Sequence, residues 1–535
     1  MPYKQVNLRN TRNWLWIPCL FVGTLLARIP FASRFLYCWD SVQFSLALER
    51  YDIQAHSPHP PGYFHFVLLG KAGHILFHDP NDAYLAVNIL CSAFTVVFLY
   101  LLCRRMLGTL EAVSASLLLL TGPSFWFYGE VALSYAPEAL FSILVAYFCW
   151  KSGRGGVRNL YVAGLFLGLG CGVRQSTFLF LFPLWVWQWR SVRWKHRMGA
   201  SFLLVFCILS WLIPTVNSAG GLVQYWAILK GLSTGFVSFS SRLRTIAKVV
   251  LSCVWGVGAG GIGLLLLARQ WRHISGVKRA PYSFLFIWIL PGLMFYSSTH
   301  IAQAGYVLVL LPGVLILAAR GLATLRERVD VSTKRWGGVL AILVLSNCAF
   351  YSFQSVAARI EILRRAMASM TILPVRDNDA ALRTWMNYVV GTYRPEDTVF
   401  VSTGIRDPGM LYAPYRHFMY YLPEYSVYAL DFREEAQERY ISATGREQNC
   451  HSGLTIPVDP EVNQVVLFFT REGFTLGRSV IPDKLTSYLA AEEQEISIST
   501  RHLKRVDEVG DLSFYVFNMT GPFLEIHPYR FIKNQ

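Results

Sequence analysis

Charge is scarce in this 535-residue chain: 15% of its residues are charged and 53% are hydrophobic. A soluble domain of ordinary composition carries about 25% charge. The shortfall excludes a chain that keeps most of its surface in water, and it calls for a bilayer around long segments. Paired cysteines are also missing. The ten cysteines stand singly, and Cys91, Cys149, Cys171, Cys207, Cys253 and Cys348 lie inside apolar runs. No metal-ligand spacing occurs among them, so they read as buried structural thiols. The sequence has no glycine-rich phosphate loop, no nucleophile elbow, no internal repeat and no low-complexity tract. Acids are few, 33 against 49 Lys and Arg, for a net charge of +16. In a soluble protein that excess would suggest nucleic acid. Here the basic residues sit in short loops between apolar runs, so they carry topology and no nucleic-acid partner is expected.

What is present is a series of apolar runs, each near the length a bilayer needs. They fall at 13–30, 83–103, 108–124, 134–150, 159–173, 177–190, 199–216, 246–268, 281–298, 304–320 and 337–355. The spacing therefore predicts a polytopic α-helical membrane protein with about eleven spans. The first run lacks a small-residue cleavage site and reads as an anchor. One set of loops holds Arg9 and Arg12, Arg104 and Arg105, Lys151 and Arg158, Arg193 and Lys195, Arg272 and Lys278, and Arg328 and Lys334. These loops alternate with loops poor in basic residues. The rule that positive loops stay inside then puts the N-terminus in the cytoplasm and the C-terminus outside. The expected outer loops are 31–82, 125–133, 174–176, 217–245 and 299–303. The first is the longest, and its patterning predicts interfacial helices over 40–52 and 63–77.

From about residue 360 charge rises and apolar runs shorten to strand length. A helix is expected over 379–393 and another over 409–421. Strands are expected at 398–403, 426–431, 464–470, 495–506 and 512–518. The expected organisation is a transmembrane domain over 1–358 and a small α/β domain over 359–535, outside the membrane.

The residues that could carry chemistry cluster in the outer loops. Asp40 directly follows the first span; it reads either as a cap for the next helix or as a general base in a groove screened from water. Glu130 is the one acid in the aromatic loop Phe125-Trp126-Phe127-Tyr128-Gly129-Glu130, and reads as a solvated interface residue or a second acid. Glu138 lies near the outer end of the fourth span, where an ionisable side chain is costly enough to suggest a role. Cations on that side include His56, His59, Arg174 and His300. Arg174 follows Gly168, Gly170 and Gly172, small residues that let neighbouring helices approach closely. It either snorkels to headgroups or clamps a phosphate, for which its forked donors are suited.

The acid closing the first span, the interfacial helices, the turn His59-Pro60-Pro61-Gly62-Tyr63, the stretch 126–139 and the run 299–306 resemble the GT-C glycosyltransferases. The likeness covers residues 10–355 and is greatest to bacterial protein O-mannosyltransferase-like and Rgt-type members. It implies a multi-pass enzyme of the bacterial inner membrane that moves a sugar from a polyprenyl-phosphate donor to a glycan, lipid or protein acceptor on the periplasmic face. Membrane lipids would be its surroundings. Asp40 matches the family's first-loop acid. Many members have Asp-Glu there, whereas this chain has Asp40-Ser41, so Glu130 becomes the candidate second acid. In this reading Arg174, His56, His59 and His300 hold the donor phosphate, and Tyr63, Tyr128, Glu138, Gln303 and Tyr306 contact acceptor or sugar. No cofactor is required, although a pair of acids could hold a divalent cation. Two rival classes remain: a transporter or flippase of lipid-linked substrates, or a polysaccharide polymerase or ligase. A third, a non-catalytic receptor using the C-terminal domain, needs none of this chemistry.

Overall fold

The computed structural model describes residues 14–233, 239–270, 280–298, 303–329, 332–352, 370–402, 414–431, 439–444, 447–452, 455–470, 482–488, 495–499, 503–509, 512–518 and 523–528. The chain forms two compact units. One comprises residues 1–34 and 51–375, the other residues 35–50 and 376–535.

The helical elements run α1 (Trp16–Arg28), α2 (Trp39–Glu49), α3 (Phe64–His74), α4 (Pro80–Met106), α5 (Thr109–Thr121), α6 (Pro123–Tyr128), α7 (Tyr135–Ser152) and α8 (Val157–Val173). They continue as α9 (Ser176–Trp187), α10 (Trp194–Ser218), α11 (Leu222–Ser233), α12 (Phe239–Val257), α13 (Gly261–Gln270), α14 (Ala280–Ser298), α15 (Leu311–Val329) and α16 (Thr333–Ser352). Within the described residues, each apolar run of the sequence is thus mostly helix. Among the described residues, three helical stretches are long and apolar enough to cross a membrane by length and composition: Pro80–Met106, Trp194–Ser218 and Thr245–Gln270. The run at 304–320 differs from expectation. It opens as a 3-10 turn, Ala304–Val309, before α15 begins. A Cβ on Gly305 would stand 2.6 Å from the Tyr135 ring, so the chain lies against α7 there.

The first unit has the signs of a hydrocarbon solvent. α10 buries Ala200, Leu204, Cys207, Trp211 and Thr215 along one stripe. Its other side presents Phe202 at 77% exposure and Phe206 at 63%. A helix apolar all round needs lipid or protein on every side. Prolines stand inside α9, α10 and α14 (Pro183, Pro214 and Pro291), a placement that membrane helices tolerate. Glycines set the closest helix contacts: a Cβ on Gly321 of α15 would lie 1.8 Å from the Gly263 carbonyl oxygen of α13. At its start α4 is capped by Asp79, whose carboxylate accepts from the Asp82 N–H at 3.0 Å, with Pro80 at the first helical position.

The second unit is α/β. Its main sheet has the order β4-β3-β2-β1-β6-β10-β9. The strands are β1 (Thr398–Ser402), β2 (Ser426–Asp431), β3 (Arg439–Thr444), β4 (Glu447–Ser452), β6 (Gln464–Thr470), β9 (Leu503–Val509) and β10 (Leu512–Asn518). β1 runs parallel to both β2 and β6, while the outer pairs are antiparallel. A second antiparallel sheet orders β5 (Thr455–Pro457), β11 (Phe523–Pro528), β7 (Pro482–Tyr488) and β8 (Glu495–Ser499). The single strand expected over 495–506 is therefore two, one in each sheet. Val399, Val401, Val465, Leu467 and Phe517 pack one side of the main sheet. Phe400, Phe468 and Phe514 form an aromatic layer with Phe418. Phe418 belongs to the second of two helices, α17 (Ile372–Thr392) and α18 (Pro414–Tyr421). Residues 403–413, where α18 was expected to begin, lie outside the described residues.

Candidate active site

In the helical unit the chemistry gathers around Arg174. It caps the C-terminal end of α8, its N–H bonded to the Gly170 carbonyl oxygen, and only 6% of it is exposed. Its Nε lies 3.1 Å from Oε2 of Glu138, and its Nη1 donates to Ser134 Oγ at 3.3 Å. Glu138 stands in the first turn of α7, fully buried. Its other oxygen accepts from Thr177 Oγ1 at 3.3 Å and Ser176 Oγ at 3.4 Å. Aromatic rings enclose the guanidinium: its carbon is 4.5 Å from the Tyr135 centroid, 4.7 Å from Tyr306 and 5.6 Å from Tyr63. Each such contact stabilises a desolvated cation by about 0.5–2 kcal/mol. Arg174 therefore points into the bundle, and an acid partners it that the local sequence does not contain.

The neighbours of this centre extend the aromatic wall. Tyr128 packs edge-on against Tyr135 at 4.7 Å, and His59 lies 4.8 Å from Tyr63. Gln303 precedes the 3-10 turn that delivers Tyr306. His56 sits in the loop closed by the Asp52–Ser57 bridge. His300 lies outside the described residues. Among the described residues, no three His, Cys, Asp or Glu side chains form a metal-ligand group.

The Pro-Pro-Gly turn is held by side chains that reach it from several elements. Tyr225 donates to the Pro61 carbonyl oxygen at 2.9 Å, and Gln175 Nε2 to the same oxygen at 3.4 Å. Tyr51 donates to the Gly62 carbonyl oxygen at 2.9 Å; burial pushes its phenol upward from the ordinary range. Gly62 has φ +121°, and a Cβ there would stand 2.7 Å from both Tyr51 Oη and Ile53 Cδ1. Tyr63 itself takes φ +46° to start α3. Gly62→Ala is expected to lower stability by about 1–3 kcal/mol through the left-handed strain alone. Thermal unfolding in detergent measures this, and an unchanged midpoint would show that the turn accepts a Cβ.

Glu130 occupies a second buried centre. It is fully buried, its carboxylate accepts from the Tyr351 hydroxyl, and Arg28 interacts with it electrostatically. Arg28 also donates to the Leu120 carbonyl oxygen at 2.7 Å and lies 4.9 Å over the Trp126 ring. Trp126 in turn stacks on Tyr351 at 4.8 Å. The Glu130 carbonyl oxygen accepts from the Ser33 N–H at 2.9 Å. The side chain is thus not a solvated interface residue. Burial with a cation and a phenol suits an anchor between α1 and α16.

Asp40 belongs to the other unit. Its segment, 35–50, is gripped by α17 and α18. The Phe35 N–H donates to Asp379 Oδ1 at 3.2 Å and the Leu36 N–H to Tyr421 Oη at 2.8 Å. His417 Nε2 donates to the Leu36 carbonyl oxygen at 3.0 Å. The N-cap of α2 is Cys38, without a side-chain cap bond, and Asp40 lies inside the first turn. Residues 41–48 are all buried, whereas Asp40 stays partly exposed. Burial, with the carboxylate of Asp40 beside it, pushes the Cys38 thiol up to about 12. The Arg416 guanidinium lies 4.3 Å over the Trp39 ring and interacts electrostatically with Asp40.

Residues 51–198 match a family model described as the N-terminal domain of protein O-mannosyl-transferase TMEM260. The apo crystal structure of ArnT from Cupriavidus metallidurans shares the fold, with a TM-score of 0.55 at 12% identity over 94% of this chain and 98% of that one. Part of the chain thus matches a protein O-mannosyl-transferase domain, and its fold is that of ArnT. ArnT bound to undecaprenyl phosphate matches with a TM-score of 0.47 at 12% identity, over 83% of this chain and 98% of that one. AglB, the Archaeoglobus fulgidus oligosaccharyltransferase in complex with an inhibitory peptide and a dolichol-phosphate, matches at 0.45 and 12%, over 91% and 74%. The fold assignment rests on apo ArnT. No curated protein matches by sequence.

The matched segment holds His56, His59, Tyr63, Tyr128, Glu130, Glu138 and Arg174. Asp40 and Tyr306 lie outside it. Sequence reasoning missed three contributors: Arg28, Tyr351 and Arg416. Arg28 carried a usable signal, since it closes the first apolar run on the side poor in basic residues, as Arg174 closes the fifth. Tyr351 and Arg416 carried none, because only packing distant in sequence marks them.

Proposed function

We propose that this chain transfers a sugar from a polyprenyl-phosphate donor to an acceptor hydroxyl at the outer face of a bacterial inner membrane. The observation that carries the reading is the buried Arg174–Glu138 pair, ringed by Tyr63, Tyr135 and Tyr306, inside a GT-C fold. ArnT of Cupriavidus metallidurans is a protein that binds undecaprenyl phosphate, and the same class of donor is assigned here. A lipid-linked sugar cannot leave the bilayer, so the enzyme must meet it there. Asp40 takes the proton of the acceptor hydroxyl. The freed oxygen bonds to the anomeric carbon of the sugar. The bond from that carbon to the donor phosphate breaks, and polyprenyl phosphate leaves with the electron pair. Arg174 neutralises the leaving phosphate with its forked donors. Glu138 fixes the fork in place. His56, His59 and His300 supply further positive charge, and Tyr128 and Gln303 line the sugar. Glu130 anchors the end of α1 through Arg28 and Ser33.

The decisive experiment is transfer in vitro from a panel of polyprenyl-phosphate sugars of different sugar and prenyl length. Transfer from at least one is expected; no transfer from any of them sinks the proposal. The arrangement of about eleven crossings, with a cytoplasmic N-terminus and a periplasmic 359–535 domain, follows from the alternation of basic loops. A reporter fused after Gln535 is expected to be active only outside the cytoplasm, and a cysteine placed at Arg328 to be shielded from outside reagents. A cytoplasmic reporter would overturn the orientation.

A further inference from the structure

Residues 376–535 have no part in the scheme above, yet they hold the segment that carries Asp40. Four contacts define the grip: Phe35 and Leu36 give their N–H groups to Asp379 and Tyr421, His417 takes the Leu36 carbonyl oxygen, and Trp39 packs edge-on to Tyr415 at 5.4 Å. Three of these partners come from α18, the crossover helix between the parallel strands β1 and β2. Its inner residue Phe418 stacks on Phe468 at 4.6 Å, which seats the helix on the sheet. The helix is therefore placed by the core of the unit.

Arg416 is the basic residue of this helix that interacts electrostatically with the acid. It is 2% exposed. Its guanidinium lies over the Trp39 ring at 4.3 Å, and its Nε donates to the Tyr415 hydroxyl at 3.0 Å. Among the described residues its Nη1 has no hydrogen-bond partner. A buried guanidinium is costly unless an anion answers it, and Asp40, directly after Trp39, interacts with it electrostatically. A rigid planar cation held on two aromatic neighbours is a suitable device for fixing one carboxylate.

We propose that Arg416 is the positioning residue for Asp40, and that through it the C-terminal unit is part of the catalytic apparatus. This rests on the reading of Asp40 as the base. Positioning acts on turnover, because it sets how well the carboxylate meets the acceptor proton, and not on capture of the lipid donor.

The test uses the full-length enzyme in nanodiscs with the lipid-linked sugar that supports transfer in the panel. Arg416→Met is expected to lower kcat about tenfold or more and to leave the donor KM within about twofold. Arg416→Lys, which keeps the charge, is expected to recover part of kcat. In an Asp40→Asn background, Arg416→Met should cost nothing further, because both changes remove one coupled function. A residue that served folding alone would lower the unfolding midpoint and cost the same in either background. If Arg416→Met fails to fold, Arg416→Lys and Tyr415→Phe decide, and parental kcat in both overturns the proposal. Parental kcat in a folded Arg416→Met, or its full cost in the Asp40→Asn background, overturns it as well. The two readings fail differently. If Asp40→Asn itself keeps parental kcat, the base assignment falls first. If Asp40→Asn is slow while Arg416→Met is not, only the positioning role falls.

Discussion

Asp40→Asn is expected to fold as the parent does and to transfer sugar about a hundredfold more slowly, or worse. The geometry separates this from a loss of helix stability. α2 takes Cys38 as its N-cap, so no cap bond is lost with the carboxylate. What the charge contributes to the helix is its place in the first turn, facing the positive end of the dipole, worth about 0.3–1 kcal/mol. Asn also keeps the size of the side chain. A hundredfold in rate corresponds to about 2.7 kcal/mol of barrier, more than the helix can lose. The two effects also appear in different measurements, the unfolding midpoint and the single-turnover rate. A parental rate in the folded variant would remove Asp40 from the chemistry, and with it the resemblance that singled it out.

Much of the helical unit was legible because its determinants are local. A run such as Trp194–Ser218 is apolar over more than the thickness of a bilayer, and nothing distant is needed to make it helix. The two helices of the first loop were also legible from spacing, and they appear as Trp39–Glu49 and Phe64–His74. In the C-terminal unit the strands read correctly are the central, buried ones. Ser426–Asp431, Gln464–Thr470 and Leu512–Asn518 stand at their expected bounds, and Thr398–Ser402 within one residue. Among the strands that were missed is a polar one. Glu447–Ser452 reads EQNCHS, with no alternation to betray it, and its pairing with β3 comes from the partner strand. Glu495–Ser499 and Leu503–Val509 are separated by three residues with no Gly or Pro among them, so no turn signal marked the change of sheet.

The site was legible as a set of residue types and not as a set of pairs. Arg174 and Glu138 were each singled out, for the same reason: an ionisable group near a membrane is costly. That they meet depends on how α7 packs on α8, which periodicity does not encode. The acid that closes the first span was legible, but its cation was not. Arg416 is an ordinary residue in an eight-residue helix, and only the return of the chain to residues 35–40 gives it a partner.

The second large effect is expected at the Arg174–Glu138 pair, and it distinguishes a donor clamp from a structural ion pair. Glu138 is fully buried and Arg174 nearly so, with 3.1 Å between Nε and Oε2. Removing one partner leaves the other as an uncompensated buried charge, which costs about 3–5 kcal/mol. Glu138→Gln and Arg174→Gln are therefore both expected to unfold at markedly lower temperature. Arg174→Lys keeps the charge but loses the fork, so it should be milder for stability while still weakening donor use. The neutral double variant, Glu138→Gln with Arg174→Gln, removes both charges at once. Since a buried pair replaced by neutral groups is often close to neutral for stability, the double variant should recover much of what either single change loses. Donor binding should not recover with it. A phosphate held by Arg174 needs the cation, and restoring the fold does not restore the charge. The measurement is binding of the polyprenyl-phosphate sugar in nanodiscs beside the unfolding midpoint, for all four proteins. A double variant that regains stability and stays unable to bind donor supports the clamp. One that regains both assigns the pair to holding α7 and α8 together and moves the donor phosphate to another cation.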